Sequence, residues 1–316
     1  MSAAPPTKVA VVGAGHVGAT FAYALLLSGL AAEIVLVDAA ADRAEGEAMD
    51  IAHAVPLSRP TRVRSGTYED CAGASIAVIA AGSGQRPGES RLDLAGRNAS
   101  VIAAIVPELA KVAPEAVLVV ATNPVDVLTH HALRLGAYPA SRVLGSGTIL
   151  DTARFRALLS EHFRVDARSV HAFVIGEHGD SEVPVWSLAN IAGVHLDTFA
   201  AGHGIEWSEA DRMRIADSTR NAAATIIAKK GATYYAVATG LVRIVEAILR
   251  DQRTVLSVST GLDAAYGISG VALSLPTILG RGGVEEVLHL PLDADEIYAL
   301  RRSADVLRET ATSIIG

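Results

Sequence analysis

The segment GEHGD (residues 176–180) places His178 between two glycines, directly after an apolar run. An imidazole titrates near neutral pH, so it can donate or accept a proton during a reaction. The segment LDTARFR (150–156) contains Asp151 and Arg154 three residues apart, which puts both side chains on one face of a helix. Taken alone, His178 could equally be a structural histidine, and Asp151 and Arg154 could equally form an ordinary ion pair on the surface. A chemical role for these residues therefore depends on whether the chain also binds a cofactor or substrate beside them.

A glycine-rich turn near the N-terminus predicts a dinucleotide site. The apolar segment KVAVV (8–12) leads into GAGHVG (13–18), which opens a helix. Gly13 permits a tight turn, Gly15 lets the backbone approach a pyrophosphate, and Gly18 lets the helix pack closely on the strand. Val17 belongs to the same turn and is included among the cofactor-binding candidates.

Asp38 indicates which dinucleotide is bound. It ends the second predicted strand, twenty residues after Gly18. A carboxylate at this place accepts hydrogen bonds from a ribose and repels a 2′-phosphate, so the pattern favours NAD over NADP. Hydride transfer at such a site needs a proton partner, and His178 is the candidate.

A glycine- and proline-rich loop, GSGQRPGESR (82–91), carries Gln85 and Arg91 six residues apart. It joins an apolar strand, SIAVIA (75–80), to a predicted helix at about 92–112. In isolation, a solvated surface role is the default interpretation for this arginine.

The first half of the chain alternates strand and helix signals. Strands are predicted at 8–12, 33–38, 75–80, 116–121 and 143–147, and helices at 16–29, 41–54 and 92–112. A further helix is predicted after Asn123 as N-cap, with Pro124 as its first residue. Continuous apolar strands that alternate with helices predict an α/β fold with a doubly wound parallel sheet.

The second half has a different pattern. It contains predicted helices at 149–162, 208–230 and 233–250, and strand-like segments SVHAFVIG, VLSVST and GVALSLP. A last helix is expected from Asp293 to about 313, with Glu296 completing a capping box. We therefore expect two domains, residues 1–147 and 148–316.

Composition excludes several classes of protein. The 316 residues are 50% hydrophobic and 19% charged, with a net charge of −7 and no basic cluster, which argues against nucleic-acid binding. The single cysteine, Cys71, excludes an internal disulfide and a cysteine-rich metal site, and no histidine spacing predicts a metal. No signal peptide or membrane-spanning segment is apparent, so we expect a cytoplasmic location.

Four motifs in this order, GAGHVG, TNPVDV, LDTAR and GEHGDSEVPVWS, closely resemble the L-lactate/L-malate dehydrogenase family over nearly the whole chain. The resemblance implies a Rossmann NAD domain followed by an α+β substrate domain. By the same resemblance, His178 is the proton donor and acceptor, and Asp151 orients it. Arg154 would bind the substrate carboxylate through a bidentate pair. Asn123 would hydrogen-bond near the nicotinamide and the substrate oxygen.

The resemblance also gives the loop a role. Arg91 would polarise the substrate carbonyl when the loop closes over it. Gln85 stands where malate dehydrogenases typically place an arginine, so a neutral pocket suited to pyruvate is expected, although Arg86 next to it could enter the pocket instead. Thr233 resembles a polar residue of the lactate-type pocket, and Val237 is either an apolar wall or a core residue. The expected reaction is reversible hydride transfer between NADH and pyruvate, giving L-lactate.

Two alternatives stay open at this point. One is a malate or other 2-hydroxyacid dehydrogenase on the same scaffold, and the other is a non-catalytic dinucleotide-binding protein. The second would be expected to lack some of the chemical residues His178, Asp151, Arg91 and Arg154, and all four are present.

Arg156 and His171 match the bacterial members that fructose 1,6-bisphosphate regulates. In these relatives the two residues hold the phosphates across a subunit interface. The bisphosphate is then expected to favour an active homotetramer, and its effect should weaken as His171 loses its proton at higher pH. A dimer and an unregulated enzyme are the alternatives.

Overall fold

The computed structural model describes residues 7–84 and 91–315 of the chain; of Arg91 it describes only the backbone. The α-helices in this part are α1 (His16–Ser28), α2 (Ala41–His53), α3 (Arg91–Val112), α4 (Val125–Arg134), α5 (Ile149–Phe163), α6 (Leu196–His203), α7 (Glu209–Lys230), α8 (Tyr235–Leu249) and α9 (Ala294–Ile315). The strands are β1 (Lys8–Val12), β2 (Glu33–Val37), β3 (Arg62–Ser65), β4 (Ile76–Ile79), β5 (Val117–Val120), β6 (Val143–Gly145), β7 (Val170–Ile175), β8 (Val183–Ile191), β9 (Val194–His195), β10 (Thr254–Gly261), β11 (Ala272–Gly280) and β12 (Gly283–Val287).

A nine-stranded sheet forms the centre of the described fold, in the order β12-β11-β10-β6-β5-β4-β1-β2-β3. Strands β1 to β6 are parallel, and Val9 on β1 lies opposite Ile34 on one side and Ile76 on the other. The strand order 3-2-1-4-5-6 is that of a Rossmann fold. The prediction of an α/β fold with a doubly wound parallel sheet is therefore confirmed.

The parallel strands are buried because helices cover both faces of the sheet. One face packs against α1, α2 and α8, and its core includes Phe21, Leu25 and Leu241. The other face packs against α3 and α4, with Ile102 and Leu109 in its core. Burial on both faces explains why β1, β4 and β5 are continuous runs of valine, isoleucine, leucine and alanine.

Two strands of this sheet, β3 and β12 at its two edges, were missed in the sequence. Strand β3 (RVRS) pairs only with β2 at the edge, and its side chains are exposed or half-buried. An edge strand needs no continuous apolar run, so the hydrophobic pattern that predicted the other strands is absent here.

The start of α4 also differs from the prediction. Pro124 has an extended backbone (φ −76°, ψ 110°) and is the N-cap, so the helix begins at Val125. Asn123 still contributes to the helix start, because its side-chain Oδ1 accepts a hydrogen bond from the N–H of Val125 (3.2 Å).

The second half of the chain extends the central sheet. Strand β10 joins β6 in antiparallel fashion at Ser259 and Gly145, and β11 and β12 follow it. A separate three-stranded sheet, β7-β8-β9, packs near α5, α6 and α9. At α9 the predicted capping box is present, since Asp293 and Glu296 exchange hydrogen bonds between side chain and backbone N–H. Across residues 7–84 and 91–315, no helix is both long and apolar enough to cross a membrane.

Candidate active site

The glycine-rich turn has the geometry that a dinucleotide requires. Gly13 has a positive φ of 104°, and a Cβ on it would overlap the backbone of Ala81. A Cβ on Gly18 would overlap the carbonyl oxygen of Gly13, so α1 packs directly on the turn. In contrast, the space above Gly15, the N-cap of α1, is open. The backbone is thus exposed at the helix N-terminus, where a phosphate is favoured.

A cleft of about 490 Å³ lies beside this turn, at the carboxyl ends of β1, β2 and β4. Among the residues lining it are Gly13, Gly15, Asp38, Arg43, Tyr68, Ser83 and Ile105. The Asp38 carboxylate accepts hydrogen bonds from the N–H groups of Ala14 (2.7 Å) and Ala40 (2.9 Å). These residues fit NAD, because an open turn of this kind can approach a pyrophosphate and a carboxylate at the end of β2 can accept hydrogen bonds from a ribose. Val17 is half-buried and packs against the core beneath α1.

His178 is held at two points by carboxylates from different parts of the chain. Its ring Nδ1 lies 2.5 Å from Oδ2 of Asp151, on α5. Its backbone N–H donates a hydrogen bond to Oδ2 of Asp126, on α4 (2.7 Å). The ring orientation is therefore fixed through Nδ1, which leaves Nε2 as the nitrogen available for proton transfer.

Arg154 joins the same group. Its guanidinium donates a hydrogen bond to Oδ1 of Asp151 (2.8 Å), one turn away on α5. Asp151 is 2% exposed, and its two oxygens are thus shared between His178 and Arg154. The structure brings together the three residues that the sequence singled out for proton transfer and carboxylate binding.

The charges in this group shift the proton affinities. Burial acts to lower the pKa of His178, but the charge and hydrogen bond of Asp151 outweigh it and raise the pKa to about 9. Burial acts to raise the pKa of Asp151, but His178 and Arg154 outweigh it and the pKa is lowered. The pair is therefore an imidazolium and a carboxylate at neutral pH, which is the state that can donate a proton.

Two further buried carboxyls in this region were missed in the sequence. Asp126 is 2% exposed, and burial raises its pKa to about 6. Glu182 is 5% exposed, and burial raises its pKa to about 8. Both lie inside the motifs TNPVDV and GEHGDSEVPVWS, but an acid in a first helical turn or before a strand has no spacing that distinguishes it from a surface residue.

Asn123 lies at the carboxyl end of β5 and is connected to the start of the 82–91 loop. The buried side chain of Asn98, on α3, donates to the carbonyl oxygen of Asn123 (2.8 Å) and accepts from the N–H of Ser83 (2.9 Å). Asn98 is a third functional candidate that the sequence did not indicate.

Thr233 is half-buried in the turn between α7 and α8, and Val237 packs against the core beneath α1. The neighbouring Tyr234 stacks on His16 of the glycine-rich turn, with ring centroids 5.2 Å apart. This contact brings the Thr233 turn beside the cofactor turn. Gln85 and Arg86 lie outside the described residues, as does the side chain of Arg91.

Arg156 and His171 lie on neighbouring elements. The Nε of Arg156 donates to the carbonyl oxygen of Ala172 (2.8 Å), the residue after His171 on β7. The Arg156 guanidinium also lies 5.3 Å from the ring centroid of Phe173. His171 is exposed, and its side chain and that of Arg156 belong to one region of the surface where α5 meets β7.

No group of three or more His, Cys, Asp or Glu in residues 7–84 and 91–315 is arranged to hold a metal ion. A Rossmann sheet with an open glycine turn, an Asp after its second strand and a carboxylate-bound histidine is the arrangement of a nicotinamide-dependent oxidoreductase.

Comparison with known proteins gives the family. The model of the lactate/malate dehydrogenase NAD-binding domain matches residues 7–145, and that of the lactate/malate dehydrogenase α/β C-terminal domain matches residues 148–315. The chain belongs to the lactate/malate dehydrogenase family and is an NAD-dependent enzyme.

Individual relatives are similar over almost their whole length. The chain is 53% identical to an L-lactate dehydrogenase of Thermus aquaticus, over 97% of this chain and 99% of that protein. It is 52% identical to an L-lactate dehydrogenase of Acetivibrio thermocellus, over 96% of this chain and 95% of that protein. The crystal structure of a minor L-lactate dehydrogenase from Enterococcus mundtii superposes with a TM-score of 0.95, at 39% identity and 98% coverage of both chains.

Proposed function

We propose that the chain is an L-lactate dehydrogenase that interconverts pyruvate and L-lactate in the cytoplasm. The observation that carries the proposal is the contact of Asp151 with both His178 and Arg154. One residue then positions a proton donor and a carboxylate-binding cation in the same pocket. Residues 1–147 are proposed to bind the cofactor and residues 148–316 the substrate.

The proposed roles follow from the chemistry of each side chain. Arg154 binds the substrate carboxylate, since a planar guanidinium can form two parallel hydrogen bonds with it. Protonated His178 donates its proton to the substrate carbonyl oxygen as that oxygen becomes negative. Asp151 stabilises the imidazolium before transfer and keeps the ring in place. NADH, when bound, supplies the hydride that reduces the carbonyl carbon.

The remaining proposed roles concern the pocket wall. Arg91 polarises the carbonyl, Asn123 hydrogen-bonds near the reacting oxygen, and Thr233 lines the pocket. Neutral Gln85 selects pyruvate, because a second substrate carboxylate would have no cation to pair with there. The names of the relatives, L-lactate dehydrogenases at about 50% identity, support this selectivity.

The test is the rate of NADH oxidation by the purified protein with pyruvate and, separately, with oxaloacetate. A preference for pyruvate of roughly a thousandfold in kcat/KM is expected, from several kcal/mol for enclosing an unpaired charge. A preference for oxaloacetate would assign the malate activity instead and would bring Arg86 into the pocket.

We also propose that fructose 1,6-bisphosphate activates the enzyme by binding at Arg156 and His171 of a homotetramer. The two side chains share one surface region, and like charges gathered there from two subunits would repel until phosphates separate them. A ligand that binds this state better shifts the population toward it.

The activation is tested at subsaturating pyruvate and slightly acid pH. In the unaltered enzyme, the bisphosphate should raise both the rate of NADH oxidation and the molecular mass measured by sedimentation. In Arg156→Gln it should change neither quantity. Equal rates with and without the bisphosphate in the unaltered enzyme would remove this proposal and leave the pyruvate activity intact.

A further inference from the structure

Glu182 is a buried acid in the candidate active site that the proposed reaction does not use. It is 5% exposed, and its backbone N–H donates to the carbonyl oxygen of Gly179 (3.2 Å), in the turn that carries His178. Its Oε1 has no hydrogen-bond partner among the described residues. A buried carboxylate without a partner is costly, so this acid is much easier to bury as the neutral form.

The charged groups that act on Glu182 come from three elements. Asp151 and Arg154 lie on α5, His178 lies in the turn before β8, and Arg220 lies on α7. Arg220 is already paired with Asp217 on its own helix (3.1 Å). Its Nε is buried and also has no hydrogen-bond partner among the described residues. Among the described residues, Glu182 thus has charged groups nearby but no hydrogen-bond partner for its Oε1.

The charge balance of the pocket depends on the state of this acid. Arg154 and protonated His178 attract the single carboxylate of a 2-oxo acid, and the negative charges of Asp151 and, above its pKa of about 6, Asp126 oppose that attraction. An ionised Glu182 adds one more negative charge in a site where water screens charges poorly, and so weakens the attraction further.

We propose that Glu182 sets the charge of the substrate pocket, so that a 2-oxo monocarboxylate binds only while the Glu182 carboxyl keeps its proton. This inference rests on the proposed function, since it concerns the substrate that Arg154 and His178 bind. Glu182 acts on the substrate carboxylate through space and does not itself react.

The titration of the two acids gives the expected pH dependence. Burial, and then the charge of Asp151, raises the pKa of Glu182 to about 8, and the pKa of His178 lies at about 9. The productive form needs both protons, so kcat/KM is highest below both values and is lost as pH rises through them. Well above both, it should fall with the square of the proton concentration.

The experiment measures kcat/KM for pyruvate at saturating NADH from about pH 7 to about pH 10, where kcat/KM reports the groups of the enzyme that binds substrate. Glu182→Gln mimics the protonated acid and has nearly the same shape. In this variant, kcat/KM should fall only with the first power of the proton concentration. At pH 9 it should exceed the kcat/KM of the unaltered enzyme roughly tenfold. Glu161→Gln, an exposed position on α5, removes an equal charge and should keep the second-power dependence.

Two outcomes would overturn the inference. A first-power fall in the unaltered enzyme would do so without any variant, even if Glu182→Gln did not fold. A second-power fall in both enzymes would show that another group titrates. If oxaloacetate and not pyruvate proved to be the substrate, the proposed function would fail separately, and the same profiles measured with oxaloacetate would still decide whether Glu182 controls binding.

Discussion

The backbone N–H of His178 donates a hydrogen bond of 2.7 Å to the buried carboxylate of Asp126 on α4. The ring of the same histidine is bound by Asp151 on α5. Since α4 follows a strand of the parallel sheet and α5 begins the second half of the chain, the histidine is fixed by both halves. Its position is therefore set by the packing of the two halves as much as by the turn in which it lies.

Asp126 is expected to influence the pH dependence of the reaction through its charge. Above a pKa of about 6 it is ionised, and its charge helps to raise the pKa of His178. Asp126→Asn keeps an oxygen for the N–H of His178 but removes this charge, so the pKa of His178 should fall. The proposed reduction of pyruvate needs the protonated histidine. The activity of Asp126→Asn should therefore begin to fall at a lower pH than that of the unaltered enzyme.

The matched variant Asp126→Ala removes the hydrogen-bond acceptor as well. It should cost about 1–3 kcal/mol in the free energy of unfolding, since the N–H of His178 is left without its partner. Denaturant unfolding of Asp126→Asn and Asp126→Ala separates the effect of the lost charge from the effect of the lost hydrogen bond. Identical pH profiles for Asp126→Asn and the unaltered enzyme would contradict the electrostatic role.

Asp151→Asn should have the largest effect on the chemical step after loss of the histidine itself. The amide can neither stabilise the imidazolium nor hold the ring in the same protonation state, so kcat/KM should fall by on the order of 10³- to 10⁴-fold. The pKa of His178 should also fall, since Asp151 is the group that raises it. Asp166→Asn, at an exposed position after α5, is the control and should retain full activity.

Arg154→Lys tests whether the substrate carboxylate is bound through a guanidinium. Lysine keeps the charge but cannot form two parallel hydrogen bonds, so about 1.5–3 kcal/mol should be lost, or roughly 10- to 100-fold in kcat/KM. We expect most of this loss in kcat/KM to appear as a higher KM for pyruvate, while the KM for NADH stays unchanged. The control is Arg168→Lys, whose side chain is 91% exposed. A KM for pyruvate equal to that of the unaltered enzyme would place the carboxylate elsewhere.

The glycine-rich turn allows a test that separates folding from cofactor binding. Gly18→Ala should destabilise the protein, because the added methyl group overlaps the carbonyl oxygen of Gly13. Gly15→Ala should fold normally, because no atom lies within 4 Å of the added carbon, but should bind NADH more weakly. Gly46→Ala, in open space on α2, should stabilise the fold by about 0.5–1 kcal/mol. Fluorescence titration with NADH measures cofactor binding, and thermal unfolding measures the stability of each variant.

The sequence predicted the parts of the fold that depend on local signals. Strands β1, β2, β4 and β5 are apolar runs because both of their faces are buried, and the α9 capping box depends on two residues three positions apart. Strand β3 was missed because an edge strand lacks that apolar pattern. Nothing local in VLSVST shows that this strand joins β6, because the pairing of Ser259 with Gly145 connects residues more than a hundred positions apart. GVALSLP then joins the sheet through its pairing with VLSVST.

The candidate site was predicted to a similar extent. His178, Asp151 and Arg154 lie in motifs long enough to be specific, and the structure brings them into contact. Asp126 and Glu182 could not be singled out, because a buried acid and an exposed acid look the same in a sequence. The importance of Asp126 comes from its burial and its contact with His178. That of Glu182 comes from its burial and from an Oε1 that has no hydrogen-bond partner among the described residues.

In the proposed reaction, His178 donates a proton to pyruvate as NADH reduces it. The most direct measurement compares kcat/KM for pyruvate in the unaltered enzyme and in His178→Asn, together with the affinity of each for NADH. We expect kcat/KM to fall by on the order of 10⁴-fold or more, beyond the loss expected for Asp151→Asn, with unchanged NADH binding. A variant that bound NADH normally and kept a tenth or more of the activity would contradict this role of His178.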